Sequence, residues 1–365
     1  MHEPVGDETL RSVLTRIAPG TVIHEGLQRI IRSARGSLIV IGMTPAVEAV
    51  ASGGFEVNIK TTAQRLSELA KMDGAIILSP DGERILRANV HMVPDSSIPT
   101  DETGIRHRTA ERVARQTRLP VISVSSSMRI VTLYLPSGKR VLEDVSILLF
   151  RANQALATLE RYRARLDEGS TSLSALEIAG NVTIRDVVQV LQRGEMVERI
   201  AREIRGYLVE LGTEGRLVQL QLDELLSQVD DERALAVQDY RADRRRRLEA
   251  ILEDLAGMAT DDLLDVERVG KILGYDGDDL GRSVTPRGYR LLSKIPALPD
   301  AVVEKLVRRF HDLQGVLEAS LDQLDDVEGV GEARARAIKE GLARLAESSF
   351  LDRYGRGRVS RRPQM

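Results

Sequence analysis

The hydrophobic pattern of this 365-residue chain changes period once, near Leu149, and that change limits the fold to a sheet-containing domain followed by helices. Before it, short apolar runs read as buried strands: Leu38 to Ile41 ahead of Gly42, Ala75 to Leu78, Val121 to Val124 and Ile130 to Leu135. Helical spacing separates them near Glu8 to Ile17, Thr61 to Lys71 and Arg106 to Arg118. After it, apolar residues recur at helical intervals, as in Leu156, Leu159, Tyr162 and Leu166, and Arg216 to Leu222 is the one strand candidate. The pattern predicts an α+β/α architecture, with a mixed-sheet α/β domain over 1–148 and a helical spine over 149–285.

The next section begins near Pro286. Ile295-Pro296-Ala297-Leu298-Pro299 and Val327-Glu328-Gly329-Val330-Gly331 are each followed by a helical pattern, and Val303 and Leu306 sit at the offsets of Ala335 and Ile338. That is an internal repeat of helix–turn–helix units over 286–350. Gly329-Val330-Gly331 allows a tight turn whose backbone N–H groups can approach a phosphate, and Arg334, Arg336 and Lys339 add positive charge. Contacts of this sort hold nucleic-acid backbone without reading sequence. The alternative is a helical hairpin used for protein contacts. In the first unit Ala297 and Pro299 stand where glycines are expected, and Pro299 lacks an N–H. That unit is expected to pack against the second and bind little phosphate itself. Residues 351–365, with Arg353, Arg356, Arg358, Arg361 and Arg362, read as a basic disordered tail.

A formal net charge of −3 with 29% charged residues leaves any nucleic-acid binding to local patches. There is no cysteine, so disulfides and thiolate metal sites are excluded. Aromatic residues make up 3% of the chain and Trp is absent, which weighs against binding by base stacking. No apolar run approaches the roughly 20 residues that span a bilayer. The start, Met1-His2-Glu3-Pro4, lacks the basic and apolar segments of an export signal. A cytoplasmic protein with no membrane partner is expected. The run Arg244-Arg245-Arg246-Arg247 is read as a solvated helix face balanced by Asp239, Asp243, Glu249 and Glu253.

Two loops about thirty residues apart carry the chemistry. Lys71-Met72-Asp73-Gly74-Ala75 places an acid and a glycine directly before a strand. Taken alone it is an ordinary turn. Thr103-Gly104-Ile105-Arg106-His107-Arg108-Thr109 packs three basic side chains into the opening turn of a helix, where acids are normally favoured. A local rule broken in this way often marks a functional site, and an anionic ligand would offset the repulsion. A carboxylate can hold a divalent metal through oxygen, and a helix N-terminus with arginines can cradle phosphates. Together they suggest a nucleoside triphosphate site without a Walker loop.

Asp73-Gly74-Ala75, Arg106-His107-Arg108, their spacing and the C-terminal hairpin pair resemble the DNA integrity scanning diadenylate cyclases (DisA), over nearly the whole chain and in the same domain order. The resemblance implies a diadenylate cyclase domain over 1–148, a spine over 149–285 and a tandem helix-hairpin-helix DNA-binding domain over 286–350. It implies condensation of two ATP into cyclic di-AMP and two pyrophosphates, with Mg²⁺ or Mn²⁺. It also implies a homo-octamer whose cyclase domains meet face to face, and binding of branched or junction DNA that lowers synthesis. Carried onto this sequence, Asp73 holds the metal, Gly74 lets backbone approach the nucleotide, and Arg106, His107, Arg108 and Thr109 hold the phosphates. Ala75, Met92, Gly104 and Ile105 complete the ATP site, Met92 beside adenine, while Ser125, Ser127 and Arg129 form a phosphate wall. Gly329, Val330, Gly331, Arg334, Arg336 and Lys339 contact DNA.

One position departs from the family pattern. The residue before the basic triplet is often threonine there and is Ile105 here. Losing a hydroxyl hydrogen bond worth ~1 kcal/mol is expected to weaken nucleotide binding about fivefold. Two other classes stand beside the cyclase: a DNA-binding protein that only senses the nucleotide, supported by Ile105, and a helix-hairpin-helix nuclease. The nuclease reading lacks a cluster of acids suited to two-metal cleavage.

Overall fold

The computed structural model describes residues 8–227, 229–277, 280–296 and 298–355. Among them no helix is long and apolar enough to cross a membrane. The chain divides into two compact units, residues 1–156 with 203–221 and residues 157–202 with 222–365.

The first unit begins with α1 (Glu8–Ile17), α2 (Val22–Arg32), β1 (Ser37–Ile41), α3 (Pro45–Val50), β2 (Ala51–Ser52) and β3 (Phe55–Lys60). It continues with α4 (Ala63–Leu69), β4 (Ala75–Leu78), β5 (Arg84–Met92), α5 (Ile105–Thr117), β6 (Val121–Ser125), β7 (Ile130–Leu135) and β8 (Gly138–Leu142). The sheet runs β2-β5-β4-β1-β6-β7-β8, with β3 also pairing β5. β1 and β4 are parallel and the remaining pairs antiparallel, so the sheet is mixed as expected.

Side chains along β1 alternate between two cores. Leu38 and Val40 join Val47, Val50, Ala110 and Val113 from α3 and α5, while Ile39 and Ile41 join Leu14, Leu27 and Leu66 from α1, α2 and α4. A strand with helices on both faces needs an apolar residue at every position, which is why β1 and β4 read as unbroken runs. Threonine sets where the helices start. Thr21, Thr44 and Thr62 accept from the backbone N–H groups of His24, Val47 and Arg65 at the starts of α2, α3 and α4.

Helices α6 (Val145–Ala179), α7 (Ile184–Leu211) and α8 (Arg216–Leu226) contribute residues to both units. The strand candidate at Arg216 to Leu222 is therefore helix. Its buried residues are Val218 and Leu222, four apart, while Leu217 and Leu220 are exposed, so the period is helical. The second unit continues with α9 (Val229–Tyr240), α10 (Leu248–Gly257), α11 (Thr260–Leu264), α12 (Val266–Leu273) and α13 (Tyr289–Leu292). It closes with α14 (Asp300–Phe310), α15 (Leu313–Glu318), α16 (Leu321–Asp325) and α17 (Gly331–Gly355).

Two further expectations change here. Arg244 to Arg247 lie in the turn between α9 and α10 rather than on a helix face. Residues 351–355, expected to open the tail, belong to α17, which carries Arg353 and runs to Gly355. Ala297 and the tail residues Arg356, Arg358, Arg361 and Arg362 lie outside the described residues.

The second unit is pinned by a buried ionic network. Ser170, Ser174 and Glu177, on one face of α6, all receive hydrogen bonds from the fully buried Arg290 of α13, at 2.9, 2.8 and 3.0 Å. Arg290 also pairs with Glu232 of α9. Asp239 of α9 accepts the backbone N–H groups of Gly288, Tyr289 and Arg290 at 2.8 to 2.9 Å, and Tyr240 donates to Glu177 at 2.7 Å. Removing one partner would leave another charge buried and unpaired. Arg290→Met is expected to lower unfolding free energy by about 3–5 kcal/mol, measured by urea denaturation; a loss below ~1 kcal/mol would show the network is not needed for stability.

Candidate functional site

A cavity of about 760 Å³ opens at one end of the sheet in the first unit. Its walls come from the starts of β1 and β4, the ends of β5 and β6, the start of β7 and the N-terminus of α5. Of the residues singled out by sequence, Asp73, Gly74, Ala75, Met92, Gly104, Ile105, Arg106, His107, Thr109, Ser125 and Ser127 line it. Arg108 and Arg129 do not. Arg106 and Thr109, three apart, share a face of α5, whereas Arg108 is rotated about 200° from Arg106. Arg129 sits in the β6–β7 turn with a left-handed φ of 54°.

The N-terminus of α5 supplies unspent donors. Its N-cap is Gly104, which makes no side-chain capping bond, and its first turn holds no acid. The orphan N–H groups and the positive end of the helix dipole therefore remain open to an anion. Arg106 reaches within 3.9 Å of the exposed Asp73 carboxylate. Its guanidinium lies against Gly36, where a Cβ would meet Nη1 at 2.1 Å and Cζ at 2.6 Å. Gly74 is fixed by packing as well: a Cβ there would come within 2.4 to 2.7 Å of the backbone of Asn89 and Val90. Glycine at 74 is thus required by the close approach of two strands, whether or not a ligand is bound.

His107 is held by a chain of hydrogen bonds. Lys139 donates to Glu102 at 2.6 Å, the Tyr134 hydroxyl donates to the same oxygen at 2.9 Å, and His107 Nδ1 lies 2.8 Å from that hydroxyl. Tyr134 has one proton to give and gives it to Glu102, so Nδ1–H of His107 donates to Tyr134. Nε2 is then an unprotonated acceptor, buried and without a partner among the described residues. Burial lowers the imidazole pKa, with Arg106 and Lys139 adding to the effect and Glu102 opposing it. Lys139 holds the Glu102 carboxyl below its usual range, and burial keeps Tyr134 protonated. His107 is a neutral ring, and positive charge at the cavity comes from Arg106 and Lys139.

No cluster of three or more metal-ligating side chains occurs among the described residues. A lone exposed carboxylate such as Asp73 suits a hard cation that takes its remaining oxygens from phosphates and water. Ile105 is 83% exposed and Met128 62% exposed at the same cavity. Sequence reading passed over Gly36, Glu102, Met128, Tyr134 and Lys139. Tyr134 looked like any core residue of a strand, and nothing local ties Glu102 to a lysine 37 positions away.

In the second unit, α13–α14 and α16–α17 form the two hairpin pairs around one core that includes Ile295, Val303, Leu306, Ala335 and Ile338. Ile295 packs on Gly341, so the first unit of the repeat does lean on the second. Gly329 and Gly331 have φ of 91° and 61°, a conformation that glycine adopts without strain. Val330, expected at the DNA surface, is 3% exposed and belongs to the core. Arg334 donates to the carbonyl of Gly329, Arg336 pairs with Glu332, and Lys339 donates to the carbonyl of Leu317 at 2.6 Å.

Comparison with known proteins gives three matching family descriptions: DisA bacterial checkpoint controller nucleotide-binding over residues 24–138, DisA bacterial checkpoint controller linker region over 142–280, and helix-hairpin-helix motif over 312–341. The chain is 56% identical to DNA integrity scanning protein DisA of Kineococcus radiotolerans, over 97% of this chain and 100% of that one. It is also 56% identical to the protein of that name from Acidothermus cellulolyticus, over 95% of this chain and 96% of that one. A crystal structure of DacA from Staphylococcus aureus is 18% identical and covers 36% of this chain and 88% of that one. Its TM-score is 0.29, too slight a likeness to bear on the chemistry.

Gly36→Ala tests whether Arg106 serves a ligand. The new methyl displaces the mobile end of a side chain, so the urea midpoint should hold. ATP affinity by calorimetry should fall about tenfold or more, the value of a charged hydrogen bond. Unchanged affinity would remove Arg106 from the site.

Proposed function

The chain belongs to the DisA family of DNA integrity scanning proteins, and from that premise we propose how its cavity and hairpins work. Family membership makes it a diadenylate cyclase with a helix-hairpin-helix DNA-binding region. The cavity holds one ATP, with phosphates at the N-terminus of α5 and adenine toward Ala75 and Met92. The observation that carries this reading is one cavity that brings Asp73 and Arg106 within 3.9 Å of each other beside uncapped N–H groups and the hydroxyls of Thr109, Ser125 and Ser127.

One chain holds one nucleotide, so the second comes from a facing copy, and the exposed Ile105 and Met128 support that apposition. Each 3′-hydroxyl attacks the α-phosphate of the other ATP. Two ribose–phosphate bonds form, two α–β phosphoanhydride bonds break, two pyrophosphates leave, and the two hydroxyl protons pass to solvent. Arg106 and the α5 N–H groups offset charge that builds on the phosphates. The neutral His107, held through Tyr134 and Glu102, fixes the first turn of α5 in place. Arg108 lies outside the lining of its own chain's nucleotide cavity. A Mg²⁺ or Mn²⁺ ion at Asp73 would supply Lewis-acid stabilisation of the same charge.

The hairpins bind backbone phosphates of branched or junction DNA through the Gly329–Gly331 turn, with Arg334, Arg336 and Lys339 beside it. Junction binding lowers cyclase output in a face-to-face octamer, where about 1 Å of misplacement at the facing sites costs roughly a hundredfold in rate. We place this work in the cytoplasm, where ATP and chromosomal DNA are both available.

Incubation of the full chain with ATP and Mn²⁺, with and without a four-way junction, tests the whole reading. Cyclic di-AMP should form, fall when junction is added, and be absent from Asp73→Asn. Synthesis by Asp73→Asn at the parent rate would sink the assignment of that carboxylate. ATP bound but never turned over would favour the sensor reading. Ile105→Thr restores a hydroxyl at the cavity and should tighten ATP binding about fivefold by calorimetry; no change would show that the isoleucine is neutral to the nucleotide.

A further inference from the structure

The arginine run is used by neither site described so far. In the turn between α9 and α10 its members part company. Arg246 pairs with Asp254 and donates to the carbonyl of Ile272 at 2.6 Å, and Arg247 lies 3.5 Å from Glu249. Arg244 has no acidic partner among the described residues. It lines a cavity of about 370 Å³ in the second unit, together with Arg241, Arg287, Arg308, His311 and Glu304. Four arginines face one glutamate, an excess of three positive charges with the imidazole neutral. Glu304 is itself 3.7 Å from Arg308.

Two of these arginines are fixed by the fold. Arg287 donates to the carbonyls of Gln238 and Arg241 at the end of α9, the latter at 2.7 Å, and Arg241 donates to the carbonyl of Arg246 at 2.8 Å. Arg241 Nε is buried with no partner among the described residues. The guanidinium of Arg287 is pushed below its ordinary pKa by burial and then by Arg244 and Arg241, the mark of like charges held together. The other two, Arg244 and Arg308, are exposed and hold no backbone group among the described residues. Arg308 has only the exposed Glu304 as partner there, so both can close on a ligand.

We propose that this pocket binds a phosphorylated ligand, with Arg244 and Arg308 as mobile forks on the phosphate oxygens and Arg241 and Arg287 as a fixed positive floor. Guanidinium forks match phosphate geometry in pairs, and an excess of three charges suits a polyanion better than a lone carboxylate. The phosphate has two sources: the backbone of DNA held by the hairpins of the same unit, or a free polyphosphate compound. α14 links pocket and hairpin, because its Arg308 lines the pocket while its Lys305 pairs with Glu328 beside Gly329 at 3.1 Å. The DNA source rests on the hairpin reading above; the free-ligand source does not.

The full chain, the double variant Arg244→Ala/Arg308→Ala and the control Arg247→Ala, which removes one charge outside the pocket, decide it. The first readout is calorimetric stoichiometry with tripolyphosphate. The second is the salt dependence of binding to a labelled four-way junction. The double variant should lose one class of tripolyphosphate site and keep the other, that of the ATP cavity. If DNA is the source, the slope of log affinity against log salt should also flatten by about two. If a free compound is the source, that slope should stay while the tripolyphosphate site disappears. Unchanged stoichiometry with unchanged slope would overturn the proposal, as would an equal effect of Arg247→Ala. Failure of the unaltered chain to bind junction would end the hairpin reading alone, and the tripolyphosphate result would still decide the pocket.

Discussion

Strand β1 has no face turned to water, and the position of the cyclase cavity follows from that constraint. Helices cover both sides, so Leu38 to Ile41 contribute only packing and the polar groups near the strand gather at its ends. Gly36 before β1 and Ser37 at its first position, Asp73 and Gly74 before β4, and Ser125 at the last position of β6 with the turn to Met128 meet at one such end. The chemistry is therefore carried by loops, and their spacing is set by a sheet that hardly yields.

Helix α5 converts that scaffold into a charge arrangement. Its first turn breaks the usual preference for acids, and its N-cap is a glycine that satisfies no N–H. Both choices are unfavourable locally and favourable toward an anion. The helical period then divides the basic triplet by direction, Arg106 toward the cavity and Arg108 away from its lining, with His107 bound to Tyr134. Three adjacent basic residues thus stand in three different settings.

What could be read from the sequence follows the same physics. β1, β4, β6 and β7 were legible because burial on both faces leaves unbroken apolar runs. β3 and β8 were not, since Phe55–Lys60 and Gly138–Leu142 carry exposed polar residues and resemble loops. The part of the cavity lining that the sequence revealed was found through loop chemistry, which is local. Glu102, Tyr134, Lys139 and Gly36 escaped because their parts depend on contacts across strands. The arginine run failed differently. A helix face was assumed where the chain turns, and Asp239, cast as its counterion, instead caps the start of α13.

The buried Arg290 network has a consequence for how this sequence can change over time. Glu177 serves Arg290 and Tyr240 at once, and Arg290 serves Ser170, Ser174, Glu177 and Glu232. Replacing Arg290 alone leaves the buried Glu177 without a charged partner, although replacing the whole network by packed apolar residues can be neutral or better. A lineage carrying this network stands on a local peak, separated from an apolar core by the steps that remove Arg290 or Glu177 and strand the other's charge. Drift is blocked there by the path between sequences, while a solvated pair such as Arg247 and Glu249 can be lost one residue at a time.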